Sequence, residues 1–219
     1  MLSLRLQAVF DMIPSTELVT DVGTDHAHLP IALIEEKRAQ HVYAIDNKKG
    51  PLLKAQSNIA QRNLSKQITC LLSDGLSNLP VAVDVIVIAG IGVNNALEIL
   101  NNSPEIYQKA HLIIVEAKKN LNDLRAWLAS KQYTIINEEI TYEKHYYQAV
   151  AFTPISQKNL HYNDLEIKYG PILFNSNSLV FGNYLEHLKS TRERIYQKHP
   201  SQANQLALTE INQIIKDRL

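Results

Sequence analysis

Cysteine is nearly absent from this chain: Cys70 stands alone among 219 residues. That excludes an internal disulfide and a cysteine-built zinc site, and no H-E-x-x-H pair supplies another metal motif. Cys70 lies in an apolar run, residues 68 to 72, and reads as packing in a buried strand. Charge of one sign is also lacking, since 22 Lys+Arg balance 22 Asp+Glu. A protein that coats nucleic acid by bulk electrostatics is excluded, whereas a local basic patch is not. No apolar run approaches a membrane span, and Leu2-Ser3-Leu4-Arg5-Leu6 is too short and interrupted for a signal sequence, so a cytoplasmic protein is expected.

What is present is a soluble composition, 45% hydrophobic and 20% charged, long enough for one full domain and a small appendage. Residues 4 to 12 carry Leu6, Val9 and Phe10 at helical spacing, with Ile13 next, and Pro14 stops the helix. Strands are expected at 18 to 22, 41 to 45, 67 to 72, 83 to 89 and 112 to 115. Helices fall between them, near 27 to 37, 51 to 62, 94 to 101 and 120 to 130. Such alternation calls for a parallel sheet with helices on both faces. Two further strands, 133 to 140 and 145 to 153, are joined by a short loop, 141 to 144, and must be antiparallel.

The texture changes after Pro154. Residues 155 to 177 read as a polar linker that packs through Ile172 and Phe174. Beyond it Phe181, Tyr184, Leu188 and Ile195, then Leu208, Ile211 and Ile215, suggest two helices folding back on each other as a coiled coil. The expected domains are therefore 1 to 154 and 155 to 219. The second carries 8 Lys+Arg against 6 Asp+Glu, a slightly basic appendage.

Chemistry concentrates where strands end. In an open parallel sheet the ligand crevice lies outside the carboxyl ends of the strands. Asp21, just before Gly23, suits a cofactor's amino or ribose groups, or orders the loop. Asp46 ends the second strand about 20 residues beyond the glycine turn, where a carboxylate can take ribose hydroxyls. Asp74, before Gly75, is placed for an adenine amino group or for a plain turn. Together the three acids suggest an adenosyl pocket. The first turn, Gly23-Thr24-Asp25-His26-Ala27-His28, lacks the G-x-G-x-x-G pattern of dehydrogenases.

Ser3-Leu4-Arg5-Leu6, Asp21-Val22-Gly23-Thr24-Asp25-His26-Ala27-His28-Leu29-Pro30, Gly50-Pro51, Asp74-Gly75-Leu76 and Ala89-Gly90-Ile91-Gly92 resemble, in order, the bacterial tRNA adenine-22 N1-methyltransferase family. Its matching stretches read S-x-R-L, D-x-G-S-D-H-A-Y-L-P, G-P, D-G-L and A-G-M-G-G. Tyr169-Gly170-Pro171 and the helices after it also resemble that family, so the likeness covers nearly the whole chain. It departs at His28, where the family has tyrosine, at Ile91 and Val93, and at 116 to 120, where the family shows a proline-asparagine turn.

The resemblance implies a Rossmann-like class I methyltransferase: a parallel sheet with a final antiparallel strand, plus a C-terminal helical hairpin. It implies methyl transfer from S-adenosylmethionine to N1 of an adenine in the tRNA D-arm; no metal is expected, since a cysteine cluster and an H-E-x-x-H pattern are both lacking. Asp25 is then the catalytic candidate, accepting from the adenine amino group, unless it caps the following helix. Asp21, Gly23, His26, Asp46, Asp74, Gly75 and Gly90 are the cofactor candidates. Arg5, His28, Gly92, Asn94, Lys118 and Lys119 are the tRNA candidates, with Lys48, Lys49, Arg192, Arg194, Tyr142 and Tyr146 as further contacts. A monomer or weak homodimer is expected. A methyltransferase acting on another RNA, a protein or a small molecule, and a nonenzymatic tRNA-binding protein, are the competing readings.

Overall fold

A computed structural model describes residues 2–218. In chain order it contains α1 (Leu4–Met12), β1 (Thr16–Val22), α2 (His28–Glu35), β2 (Ala39–Asp46), α3 (Lys49–Gln61), β3 (Ile68–Leu72) and β4 (Val85–Ala89). Next come α4 (Val93–Asn102), α5 (Pro104–Tyr107), β5 (Leu112–Ala117), α6 (Leu121–Lys131), β6 (Tyr133–Glu143), β7 (His145–Ser156), α7 (Asp164–Tyr169) and α8 (Pro171–Phe174). The chain finishes with α9 (Leu179–Lys198) and α10 (Gln202–Asp217).

The strands form one sheet in the order β3-β2-β1-β4-β5-β7-β6. β1 through β5 are parallel and β7 runs antiparallel between β5 and β6. Successive side chains of a strand point to opposite faces, and β4 shows the result. Val85, Val87 and Ala89 join the apolar layer of α1, α2 and α3, while Ile86 and Ile88 join the layer of α4 and α6. β5 divides likewise, Ile114 to the first layer and Ile113 and Val115 to the second. Both strands are buried on two faces, which is why they read as unbroken apolar runs. Each fully buried aliphatic side chain contributes roughly 1.5–3 kcal/mol.

Three details depart from the sequence expectation. β3 is an edge strand: Cys70 is only half-buried and Leu72 is 45% exposed, with burial raising the Cys70 thiol. The hairpin has no four-residue loop, because Thr141, Tyr142 and Glu143 pair with Tyr147, Tyr146 and His145. Lys144 alone turns the chain, at φ 62°. Residues 155–174 pack on the core through Ile172 as expected, but are more than a linker, since α7 and α8 form within them. Asn163 caps α7 by accepting from the Leu165 and Glu166 amides, and Glu166 accepts from the Asn163 amide in return.

The chain divides into two compact units, 1–174 and 175–219. In the second, α9 and α10 are capped by Ser178 and Ser201. Their buried seam is Phe181, Leu185, Ile211 and Ile214: Phe181 and Ile211 lie on the expected stripes, while Leu185 and Ile214 are buried in place of Tyr184 and Ile215, and Leu188 and Leu208 are partly exposed. Ile195 is 45% exposed. Arg192 donates to the Ala207 carbonyl at 2.8 Å, tying the helices together. Among the described residues no helix is long and apolar enough to cross a membrane.

Candidate active site

The site is built where β1, β2, β3 and β4 end together. At β1 the chain leaves the sheet through Gly23, φ 79°, whose amide and that of Thr24 both donate to the Ile45 carbonyl at 2.9 Å. A Cβ on Gly23 would stand 2.6 Å from Ile91 Cγ2, so the glycine is required by contact as well as conformation. The turn continues through Asp25 and Ala27, both left-handed, and α2 starts at His28. No side chain caps α2, which removes the capping role considered for Asp25.

Asp46 orders this corner. One carboxylate oxygen accepts from the Lys48 amide at 2.9 Å and the other from the Asp25 amide at 3.3 Å. Asn58 holds the next residue, donating to the His26 carbonyl at 3.0 Å. At the end of β3, Ser73 is buried, Asp74 is exposed, and Gly75 turns at φ 63° against Ile99. At the end of β4, Gly90 turns at φ 78° beneath the Arg5 guanidinium.

These ends enclose a cavity of ≈ 800 Å³. Gly23, Asp25, Asp46, Asp74, Gly75 and Gly90 all line it, and Arg5 reaches it from α1. Asp21 lies beneath, 5% exposed. Burial pushes its carboxyl up to about 6, with Thr24 and Arg5 pulling it down and Asp46 raising it further.

A second cavity, ≈ 530 Å³, opens between the ends of β4 and β5. Gly92, Asn94, Lys118 and Lys119 line it, as do Glu116 and Tyr147. Gly90, Ile91 and Asn95 belong to both cavities. Arg5 joins the two: its Nη1 donates to Glu116 Oε2 at 2.9 Å, and its guanidinium lies 5.7 Å from the Tyr147 ring centre. Burial pushes the Glu116 carboxyl up, while Arg5 and the Gly90 amide favour its ionised form.

The histidines stand apart from this arrangement. His28 lines a separate cavity between α1, α2 and α3, and His26, stacked on it at 5.6 Å, lines none of the three. His26 Nε2 is 3.6 Å from Asp25 Oδ2. Lys48 lies on the wall of the first cavity, whereas Lys49, Tyr142 and Tyr146 do not. Glu116 and Tyr147 were missed by sequence reasoning. Glu116 carries the same signal as Asp46 and Asp74, an acid at a strand end, but hides in a charged stretch. No metal-binding cluster of acids, histidines and cysteine exists among the described residues.

Parallel strands whose ends carry acids and glycines, closed by an antiparallel last strand, define a Rossmann-like methyltransferase, and residues 2–150 match the methyltransferase domain family. Within that class the chain belongs to the TrmK family. It is 33% identical to TrmK of M. capricolum, solved with the cofactor product S-adenosyl-homocysteine, covering 100% of this chain and 98% of that one with a TM-score of 0.85. It is 27% identical to the tRNA (adenine(22)-N(1))-methyltransferase of Bacillus subtilis, over 96% of this chain and 92% of that protein. Streptococcus pneumoniae Sp1610, solved in complex with S-adenosyl-L-methionine, is 26% identical with a TM-score of 0.90, covering 98% and 100%.

Proposed function

We propose that this protein transfers a methyl group from S-adenosylmethionine to N1 of adenine 22 in the D-arm of tRNA. The observation that carries this reading is the pair of adjoining cavities with Gly90, Ile91 and Asn95 in common. A two-substrate transfer needs such a meeting point, one chamber for the donor and one for the acceptor.

The first chamber suits the donor. Asp46 offers acceptors for two ribose hydroxyls at the end of β2, and Asp74 offers one for the adenine amino group at the end of β3. Gly23 and Gly90 bring backbone to the cavity wall where the methionine part would lie, with Asp21 and Thr24 buried nearby. When bound, the cofactor supplies an already activated sulfonium methyl. The protein's task is then alignment, which can be worth roughly 7–11 kcal/mol.

Adenine N1 attacks with its own lone pair; the N1–C bond forms as the S–C bond breaks, and the base becomes cationic. A carboxylate beside it stabilises that charge as it develops. Asp25 is exposed on the wall of the donor chamber and anchored through its amide to Asp46; we assign its carboxylate to the N6 amino group of a base seated where the two chambers meet, and to a proton afterwards. N1 lies on the pairing edge, so a paired adenine must be turned out at a cost of a few kcal/mol. Lys118 and Lys119, exposed beside the second chamber, suit the flanking phosphates.

Methylation of unmodified tRNA transcripts with labelled cofactor, followed by nucleoside analysis, tests the reading. N1-methyladenosine that disappears when the D-arm adenine is replaced is the expected result. Methylation of a different base, or of no RNA, overturns it.

A further inference from the structure

Glu116, next to last in β5, has a carboxylate that the rest of the chain satisfies only in part. Its Oε2 accepts from Arg5, but its Oε1 is buried and accepts no hydrogen bond, because the Gly90 amide beside it donates to the Glu116 backbone carbonyl at 3.2 Å. Leaving a buried acceptor unsatisfied costs about 1–3 kcal/mol, more when it is charged. A buried carboxylate oxygen left open asks for a partner outside the chain, a water or a ligand group. Glu116 also lines the second chamber, the one that adjoins the cofactor side at Gly90, and Tyr147 lines it too. Arg5 holds both, one by an ion pair and one through the face of its ring.

We propose that Glu116 selects the target base: its unpaired Oε1 accepts a hydrogen bond from the N6 amino group of adenine, while the Tyr147 ring offers a stacking surface. This rests on the methyl-transfer reading above and names the recognition element of its acceptor chamber. An amino group carries two hydrogens, so Glu116 and Asp25 do not compete for it. Guanine presents a carbonyl oxygen in place of that amino group, setting lone pair against lone pair, and is refused. Arg5 is the positioning residue, fixing the carboxylate without touching the base.

The test uses the full chain and two tRNAs, one with adenine and one with purine, which lacks the amino group, at the methylated position. The quantity read is the adenine-to-purine ratio of kcat/KM, compared between wild type and variants so that the intrinsic reactivity of the two bases cancels. Glu116→Leu is expected to lower that ratio roughly 10- to 100-fold, the worth of one hydrogen bond to a charged group. Glu116→Gln, which keeps an acceptor oxygen, is expected to retain most of it. Cofactor affinity by calorimetry should be unchanged in both. Should Glu116→Leu not fold, Glu116→Ala is read in the same way. A ratio equal to wild type in the folded variant overturns the assignment of Glu116 and leaves the methylation reading standing. Failure of the wild type to methylate adenine-bearing tRNA overturns that reading, and the assignment falls with it.

Discussion

Arg125 on α6 and Glu138 on β6 meet at 2.7 Å with side chains only 1% and 0% exposed. The pair is fully dressed. Arg125 Nη2 donates to Gln148 at 2.8 Å, and the second Glu138 oxygen accepts from the amides of Ile172 and Leu173 at 2.9 and 3.2 Å. One ion pair thus joins α6, β6, β7 and the start of α8.

Arg125→Met removes the cation and leaves a buried carboxylate, which should cost about 3–5 kcal/mol in denaturant unfolding. Replacing Glu138 by Leu as well should not restore the loss, because the Ile172 and Leu173 amides then lack an acceptor. Full recovery in the double variant would contradict this account.

Asp21 gives stability a pH dependence of definite sign. Its carboxyl ionises at about 6 in the fold against 3.8 in an open chain, mainly through burial. Between those values the native state holds a proton the unfolded chain has released, so stability falls as pH rises from about 4 to about 6 and levels off above. The contribution is about 3 kcal/mol. Asp21→Asn should match wild type near pH 4 and exceed it by up to that amount at pH 7; unfolding curves at the two pH values check it.

Asp25 and Asp46 should separate kinetically. Asp25→Ala is expected to keep cofactor affinity and slow single-turnover transfer on the order of 100-fold. Asp46→Ala should weaken cofactor binding first, since it removes the proposed ribose acceptor and also releases the Lys48 and Asp25 amides. Calorimetry beside single-turnover rates distinguishes them, and loss of binding in Asp25→Ala would move that residue to the cofactor's side.

Gly23→Ala should abolish measurable cofactor binding, because φ 79° is costly for alanine and the new methyl meets Ile91. Adding Ile91→Ala relieves the contact but not the conformation, roughly 1–2 kcal/mol of strain. Binding by the double variant should therefore return only in part.

The helices and parallel strands of the sheet were legible because two-faced burial writes continuous apolar runs at β4 and β5 and helical spacing writes α1. Asp46 and Asp74 were legible because a strand end before a turn is a local signal. Tyr147 was not, since only the register of β7 decides whether it or Tyr146 faces the site. The left-handed turn at Ala27 sends His28 to another cavity, and left-handed backbone outside glycine has no reliable sequence mark. The seam of α9 and α10 was legible at Phe181 and Ile211 but not at Leu185 and Ile214, because each has an apolar or aromatic neighbour, Tyr184 and Ile215, that fits helical spacing equally well.

The residues common to both chambers have a consequence for inhibitors. Gly90 and Ile91 border donor and acceptor alike, so a single molecule carrying an adenosine tethered to a purine would occupy both chambers at once. Its second half would bind at the effective concentration set by the tether. Selectivity would then be read mainly from the acceptor half, where the proposed contacts of Glu116 and Tyr147 lie.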